Sequence, residues 1–296
     1  MLRFAVIAVL LVTASACSRT EFAYRHADRL LGYYAWQTVA ASSAQRDRWR
    51  PVLESTLQHH REQELPLIIA YLDLASRSVT ETDAAPDAAC LVEGARLLYQ
   101  RHARLAVELS VPLLTGLDAT QISHFAKYTA KRQQNAARRY LDPDPAQRKA
   151  AREKRFIERI ENWTGPLTDG QRQQVREAVE RIPDLSAPWL EYRAQQTNRL
   201  LAMLETGADA PALHEYLDGW WVHMKGQSAE YRQRWRTARQ EFVQLLDTLA
   251  TTLTQRQRAA IVDRLGDVRK DLASFLPPAQ RPANLPAIPA CQAARV

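Results

Sequence analysis

A short pattern that recurs four times constrains this chain most strongly, because it predicts where helices begin. In each copy a hydroxyl or carboxylate side chain is followed three positions later by glutamine, as with Thr168 and Gln171. This is the pattern of a capping box, in which each of the two side chains accepts a hydrogen bond from the other residue's backbone N–H. The copies are unevenly spaced, which indicates a reused helix start and not a tandem repeat. The four boxes are Ser42 with Gln45, Asp118 with Gln121, Thr168 with Gln171, and Thr254 with Gln257.

The spacing of apolar residues predicts helix for the rest of the chain as well. Only nine glycines occur, and apolar and polar residues do not alternate over useful lengths. In two segments near the C-terminus, apolar residues recur at intervals of three and four positions. This spacing predicts a pair of long helices packed as an antiparallel hairpin. The predicted fold is therefore all-α: a multi-helix antiparallel bundle with long helical hairpins, capped helix starts and a proline-rich C-terminal tail. The two stepping series are Tyr231, Trp235, Ala238, Phe242, Leu245, Leu249 and Ile261, Leu265, Val268, Leu272, Phe275.

Prolines predict where these helices bend or stop, since proline lacks the N–H that a helix interior requires. We expect Pro51 and Pro66 to bend or interrupt one helix and Pro112 to end another. Asp142 is expected to cap the helix that follows the sequence LDPDP, with Pro143 in its first turn.

The N-terminus predicts export from the cytoplasm. Arg3 precedes an apolar run, small residues follow it, and Cys17 comes next, so residues 1–16 are predicted to be a secretory signal. With its cysteine, the segment resembles the lipobox of bacterial lipoproteins. That resemblance implies acylation of Cys17 (a membrane anchor such as palmitate) and, because Ser18 is not aspartate, residence on the periplasmic side of the outer membrane. Inner-membrane residence is the less expected location, and cleavage to a soluble secreted protein is the alternative.

The segment after the anchor is rich in aromatic residues and reads FAYRHADRLLGYYAW, residues 22–36. Its apolar residues are spread over more than one helical face, which favours packing into the domain over lying at the lipid interface. We expect an all-helical domain over residues 17–276 and a proline-rich tail over residues 277–296.

Two cysteines remain once Cys17 is set aside as the lipid attachment site. In an oxidising compartment Cys90 and Cys291 are predicted to form a disulfide that ties the tail to the domain. Two buried free thiols are the alternative.

Basic residues concentrate between residues 124 and 160 of a chain whose net charge is +7. On a membrane-tethered protein such a surface suits contact with anionic lipid, lipopolysaccharide or peptidoglycan, whereas a solvated helix face is the simpler interpretation. Nucleic acid is disfavoured by the compartment. The candidate contact residues are Lys127, Lys131, Arg132, Arg138, Arg139, Arg148, Lys149 and Arg152.

The sequence offers no catalytic motif: a nucleophile elbow, a phosphate-binding glycine loop and a C-x-x-C pair are all missing. The adjacent His59 and His60 point about 100° apart on a helix, which does not suit a shared metal. His60 and Glu64 share a face, and His102 lies in an apolar stripe, where it is expected to be a hydrogen-bonded core histidine. We therefore predict no catalytic residues, no metal and no cofactor.

Two family resemblances add to this interpretation. The segments FAYRHADRLLGYY, RFIERIENWTGPLTDGQRQQV, IPDLSAPWLEYR, LATTLTQRQRAAIVDRL and ASSAQRDRWRPVLESTLQHHREQELPLIIAYL together resemble a family of proteobacterial lipoproteins known only as a domain of unknown function. That resemblance implies an all-helical envelope protein and brings no activity. The leucine-threonine-x-x-glutamine element is similar to the motif of small periplasmic proteins that include an ATP-independent chaperone and an envelope-stress regulator. Helix capping alone also explains that element.

These observations predict a lipid-anchored periplasmic protein that binds or scaffolds without catalysis, including a chaperone-like role toward unfolded envelope proteins. The alternative is an electrostatic module that contacts the anionic envelope components. A hydrolase with an unrecognised site is the third hypothesis.

Overall fold

The computed structural model describes residues 16–80 and 87–277, with side chains from residue 21 onward, and this part of the chain contains helices and no strands. The all-α class is thus confirmed. The helices are α1 (Ala16–Arg25), α2 (Ala27–Val39), α3 (Ser43–His59), α4 (Leu65–Thr80), α5 (Ala88–Leu114), α6 (Ala119–Tyr140), α7 (Pro145–Thr164), α8 (Asp169–Arg181), α9 (Ser186–Glu205), α10 (Ala210–Leu217), α11 (Ala229–Thr252) and α12 (Gln255–Ala273), with wide π-helical turns π1 (His60–Glu64) after α3 and π2 (Asp218–Val222) after α10.

All four predicted capping boxes form, and they start α3, α6, α8 and α12. In the third box the backbone N–H of Gln171 donates to Thr168 Oγ1 at 3.3 Å, and the backbone N–H of Thr168 donates to Gln171 Oε1 at 3.0 Å. Each box satisfies N–H groups that the first helical turn would otherwise leave unpaired.

The boxes are also paired in space, which the sequence did not reveal. The side-chain amides of Gln45 and Gln121 bind each other, and those of Gln171 and Gln257 do the same. Each pairing joins two corners, by which we mean the turns that connect consecutive helices. The α2–α3 corner contacts the α5–α6 corner, and the α7–α8 corner contacts the α11–α12 corner.

The helices of paired corners pack against each other in the same way in both halves. In the first half α2 packs on α6 and α3 on α5, and in the second α7 packs on α12 and α8 on α11. The chain therefore uses one arrangement of interlocked corners twice, and this repeat is invisible in the uneven spacing of the boxes.

The hairpin predicted for the last two helices is wrong. Helix α11 packs on α8 and α5, whereas α12 packs on α4, α1 and α7. Their apolar seams accordingly enter different clusters, with Leu245 and Leu249 beside Val175, and Leu272 beside Leu65 and Ile69. The physical reason is the pairing of the Thr254 box with the Thr168 box, which points the two helices toward separate partners.

Two prolines lie inside helices. Helix α5 continues past Pro112 to Leu114, so the expected end at Pro112 is wrong, whereas Pro51 lies within α3 and does not interrupt it. Turn π1 ends just before Pro66, where the Leu65 amide donates to the His60 carbonyl five residues back. Proline lacks an N–H and crowds the carbonyl four residues earlier, which a widened turn relieves.

The cap of α7 is also two residues later than predicted. Asp144, not Asp142, accepts from the Ala146 and Gln147 amides at 2.9 and 3.0 Å, and Pro145 occupies the first turn. None of the described helices is both long and apolar enough to cross a bilayer.

Candidate functional site

A groove lies between α9, α10 and π2. Its volume is about 350 Å³, within the range of small ligand pockets. Helices α9 and α10 form the walls, and π2 closes one end. The lining includes Met203, Ala212, Tyr216, Gly219 and Trp220 on the apolar side and Gln196, Arg199, Glu215 and Lys225 on the polar side.

Hydrogen bonds to α5 and α9 hold the groove in shape. The Tyr216 hydroxyl donates to the Gln196 carbonyl at 2.7 Å, which fixes the ring between α9 and α10. Turn π2 is bound to α5, because Tyr99 Oη donates to the Trp221 carbonyl at 3.0 Å and Gln100 Nε2 donates to the Val222 carbonyl at 3.2 Å. The widened turn is thus a fixed part of the groove.

Charge at the groove is mixed. The Arg199 guanidinium lies over the Tyr216 ring, 5.5 Å from its centroid, and Trp220 lies 6.0 Å from the same ring. Burial raises the pKa of Tyr216 to about 12 against the opposing charge of Arg199, so this hydroxyl stays protonated and donates. The groove therefore offers an aromatic and methionine surface with cations and a carboxylate at its edge.

Two glycines in the groove lining lie close to neighbouring side chains. A Cβ on Gly219 would approach Lys225 Cδ to 3.1 Å. Gly226 has φ of +86°, and a Cβ there would collide with Gln196 Nε2. Glycine is required at Gly226 both for its left-handed backbone and for the close approach of Gln196.

A second cluster of polar groups lies at π1. Tyr24 Oη is 3.0 Å from His60 Nδ1, and His60 Nε2 is 3.1 Å from His102 Nε2. His102 Nδ1 lies 2.6 Å from the Leu98 carbonyl, so this nitrogen carries a hydrogen and donates. When both rings are neutral, His102 Nε2 has no hydrogen and must accept, so His60 Nε2 donates to it. His60 Nδ1 then accepts from the Tyr24 hydroxyl.

This arrangement requires a neutral His60, because a protonated ring could not accept the hydrogen bond from Tyr24. Burial, together with the positive potential of His102, lowers the pKa of His60 to about 4, although the nearby Glu64 acts in the opposite direction. Burial likewise raises the pKa of Tyr24. Both groups are therefore neutral near pH 7.

Glu64 is a buried carboxylate paired with one arginine. Its side chain is only 2% exposed and accepts from Arg101 Nε and Nη2 at 2.7 and 2.8 Å. Burial alone would raise the pKa of Glu64, but the hydrogen bonds and charge of Arg101 outweigh it and lower the pKa. The pair ties π1 to α5.

For the hydrolase hypothesis, this cluster is the strongest arrangement of titratable groups that we find in the described residues. Tyr24, His60 and His102 donate and accept among themselves, and Glu64 is bound to Arg101. This bonding favours a structural role, as expected for His102. No group of three or more His, Cys, Asp or Glu side chains within residues 16–80 and 87–277 could hold a metal ion.

The structure divides the predicted basic surface into two parts. On α7 and the preceding loop the cations are engaged: Lys149 Nζ lies 2.6 Å from Glu180, Arg152 Nη2 donates to the Val179 carbonyl at 2.7 Å, and Arg148 donates to the Leu141 and Pro143 carbonyls. On α6, Lys127, Lys131, Arg138 and Arg139 are exposed, and Arg132 donates to Tyr128 Oη at 2.9 Å. Among the candidate residues, four exposed cations lie on α6, whereas Lys149 is the one exposed cation on α7 and is paired with Glu180.

The three cysteines are differently placed. Cys17 lies in the first turn of α1, and its side chain is not among those described. Cys90 is buried beside Leu74, whereas Cys291 lies outside the described residues, as do most of the predicted signal (1–15) and tail (278–296). The disulfide stays a prediction.

Comparison with known proteins gives one result. A model of a family of unknown function, DUF6279, matches residues 39–219. The chain belongs to this family. The matched region contains three of the four boxes and most of the groove lining, and it ends within π2. No curated protein and no solved structure matches the chain.

Sequence reasoning missed the groove and the pairing of the histidines. The spacing of Tyr216 and Trp220 in the sequence indicates an apolar helix and no groove, because other residues that line the groove, such as Met203 and Gln196, lie on α9. One local feature of the groove is Gly219 in the sequence DGWW, where an added Cβ would crowd the Lys225 side chain.

Proposed function

We propose that this chain is a lipid-anchored protein of the periplasmic face of the outer membrane that binds apolar segments of unfolded protein without catalysis. The groove is the observation that carries this proposal. Methionine adapts its shape to different partners, and tyrosine and tryptophan give large contact areas at low conformational cost. Edge charges of both signs suit the mixed polarity of an extended peptide.

A charge placed in the groove tests this role. Ala212 is exposed, lines the groove and lies in the first turn of α10, so Ala212→Glu should leave the fold intact. We expect the wild-type chain, at several-fold molar excess and without ATP, to slow the aggregation of reduced insulin measured by light scattering. Ala212→Glu should remove at least half of that effect.

The matched control is Ala229→Glu, which changes an exposed alanine in the first turn of α11, outside the groove lining. Wild-type and control chains should protect equally. The proposal fails if the wild-type chain has no effect on aggregation, or if both variants lose protection together.

The anchor is tested separately. Its support is the sequence alone: an apolar run, small residues and then Cys17. Cys17→Ser should abolish incorporation of labelled palmitate and release the protein from the pelleted membrane fraction or leave its signal uncleaved. Mass spectrometry of the mature N-terminal peptide checks the result, and an unmodified Cys17 in the wild-type protein would contradict it.

A second candidate function is electrostatic binding to the anionic envelope. It is favoured by the four exposed candidate cations of α6, namely Lys127, Lys131, Arg138 and Arg139. Binding to isolated cell wall or lipopolysaccharide should weaken steeply with salt and disappear when Lys131, Arg132, Arg138 and Arg139 are changed to glutamine. Lys149→Gln, which removes a cation already paired with Glu180, should bind nearly as well as wild type.

A further inference from the structure

Exposed apolar side chains are concentrated in one short part of the described chain. Of the six large apolar side chains that are strongly exposed, five lie between residues 22 and 36. This corrects the expectation that the aromatic segment packs into the domain: Tyr24 and Ala35 do so, but most of its large residues face outward. The exposed ones are Phe22 (61%), Leu30 (39%), Tyr33 (52%), Tyr34 (38%) and Trp36 (47%).

A row of cations runs beside these residues. Helices α2 and α6 pack together, and Gln121 Nε2 at the start of α6 donates to the Ala40 carbonyl at the end of α2. The two helices are therefore antiparallel. His124 Nε2 donates to the Gln37 carbonyl at 3.1 Å, and Lys127 and Lys131 continue along the same exposed face of α6.

The exposed residues of α2 and α6 lie in matching register along the antiparallel pair. From Gln37, the exposed face of α2 steps back through Tyr33 to Leu30. From His124, the exposed face of α6 steps forward through Lys127 to Lys131, by the same number of residues. From this register we infer that the lysines lie alongside the aromatic row. We call the exposed residues Leu30, Tyr33, Trp36, Lys127 and Lys131, together with Phe22 on the preceding helix α1, the aromatic–lysine face.

Chain connectivity brings this face to the membrane. Phe22 follows Cys17 by five residues of continuous helix α1, a rise of about 8 Å. A chain anchored at Cys17 therefore holds the face within reach of the lipid head groups. Tyrosine and tryptophan with neighbouring lysines are the composition that favours the bilayer–water interface, and lysines are attracted to anionic lipid.

We propose that the aromatic–lysine face lies on the surface of an anionic bilayer beside the anchor and fixes the orientation of the domain on the membrane. The proposal rests on the lipid anchor proposed above. It assigns Trp36 and Tyr33 to the head-group region and Lys127 and Lys131 to contact with anionic head groups.

The test uses the full chain, lipid-modified, in vesicles of phosphatidylcholine and phosphatidylglycerol at 3:1, with acyl chains brominated near the glycerol. Bromine quenches tryptophan emission at short range. Trp36→Phe should lower the quenched part of the emission at least twofold. Trp235→Phe is the matched control, because Trp235 is equally exposed (54%) but lies on α11, and it should leave the quenching unchanged.

Charge is tested with a second variant. Lys127→Gln with Lys131→Gln should reduce the quenching of Trp36 in phosphatidylglycerol-containing vesicles, and high salt should reduce the wild-type quenching in the same way. Both changes affect exposed side chains, and circular dichroism should show an unchanged helix content.

Flotation of the vesicles separates the two proposals. If the protein floats but Trp36→Phe quenches like wild type, the orientation proposal is overturned and the anchor stands. If Trp36 is shielded instead by a second copy of the chain, crosslinking gives dimers and the bromolipid does not quench it, which also overturns the proposal. A chain that does not float overturns both.

Discussion

The buried side-chain amides of Gln171 and Gln257 hydrogen-bond to each other in both directions. Nε2 of Gln171 donates to Oε1 of Gln257 at 2.9 Å, and the reverse bond is 2.8 Å. Each Nε2 also donates to a carbonyl of the opposite corner, Thr252 or Pro166, and each Oε1 also accepts from the N–H of its own cap. Every donor and acceptor of both amides is therefore used, although the residues are only 2% and 4% exposed.

Removing one of these amides should destabilise the protein more than the loss of a helix cap does. Gln257→Ala removes one donor and one acceptor from the buried Gln171 side-chain amide, and it also removes part of the α12 cap. We expect a loss of about 2–4 kcal/mol in the free energy of unfolding, measured by urea denaturation. The double variant with Gln171→Ala should cost less than the sum of the two single changes.

Gln173→Ala is the control for this series, because Gln173 is an exposed glutamine whose side chain binds Glu177 and Arg176 of its own helix α8. Its effect should stay within about 0.5 kcal/mol. Equal effects of Gln173→Ala and Gln257→Ala would contradict a special role for the paired amides.

The histidine pair predicts a loss of stability in mild acid. The pKa of His60 is about 4 in the folded protein against an ordinary 6.5, so between these values the unfolded chain binds more protons. Stability should therefore be complete above about pH 6.5 and fall as the pH drops toward 4, by up to about 3 kcal/mol. The lowered pKa of Glu64 acts in the same direction at still lower pH.

Thermal denaturation across pH 4–7 of wild type and His60→Gln measures this effect. The glutamine variant should show a shallower fall over this range. Equal pH profiles of the two chains would show that His60 does not govern the loss.

Two glycines with positive φ should respond differently to alanine. Gly207 has φ of +72° and open space around its added Cβ, so Gly207→Ala should cost about 1 kcal/mol from backbone strain alone. Gly226→Ala adds the collision with Gln196 and should cost clearly more. Urea denaturation of both variants makes the comparison, and equal costs would show that Gln196 yields without penalty.

We predict a disulfide between Cys90 and Cys291, based on the proposed export of the chain to an oxidising compartment. The chain-entropy estimate for so long a loop is about 5 kcal/mol, so reduction should lower the melting temperature and expose the tail to proteases. Mass spectrometry of a non-reduced digest should find peptides containing the two cysteines linked. Alkylation of both thiols in denatured, unreduced protein would contradict the prediction.

Local sequence was sufficient for the four helix starts with capping boxes and for the all-α class. The reason is that a capping box joins residues three positions apart, so its geometry depends on the helix start alone. The two wrong predictions, a helix end at Pro112 and a helix cap at Asp142, concern places where the local sequence allows two structures. A proline is tolerated within α5, and a second aspartate and proline stand two residues further on.

The tertiary structure decided how the corners pair, which helices share a core and where a groove opens. Gln45 meets Gln121 across 76 positions and Gln171 meets Gln257 across 86. A glutamine that completes its own cap still has its Nε2 hydrogens to donate, and no local pattern shows where they go. The sequence by itself determined the helices and their starts because these depend on contacts along the chain. The partners of the helices, the groove and the aromatic–lysine face depend on contacts between distant segments, which only packing establishes.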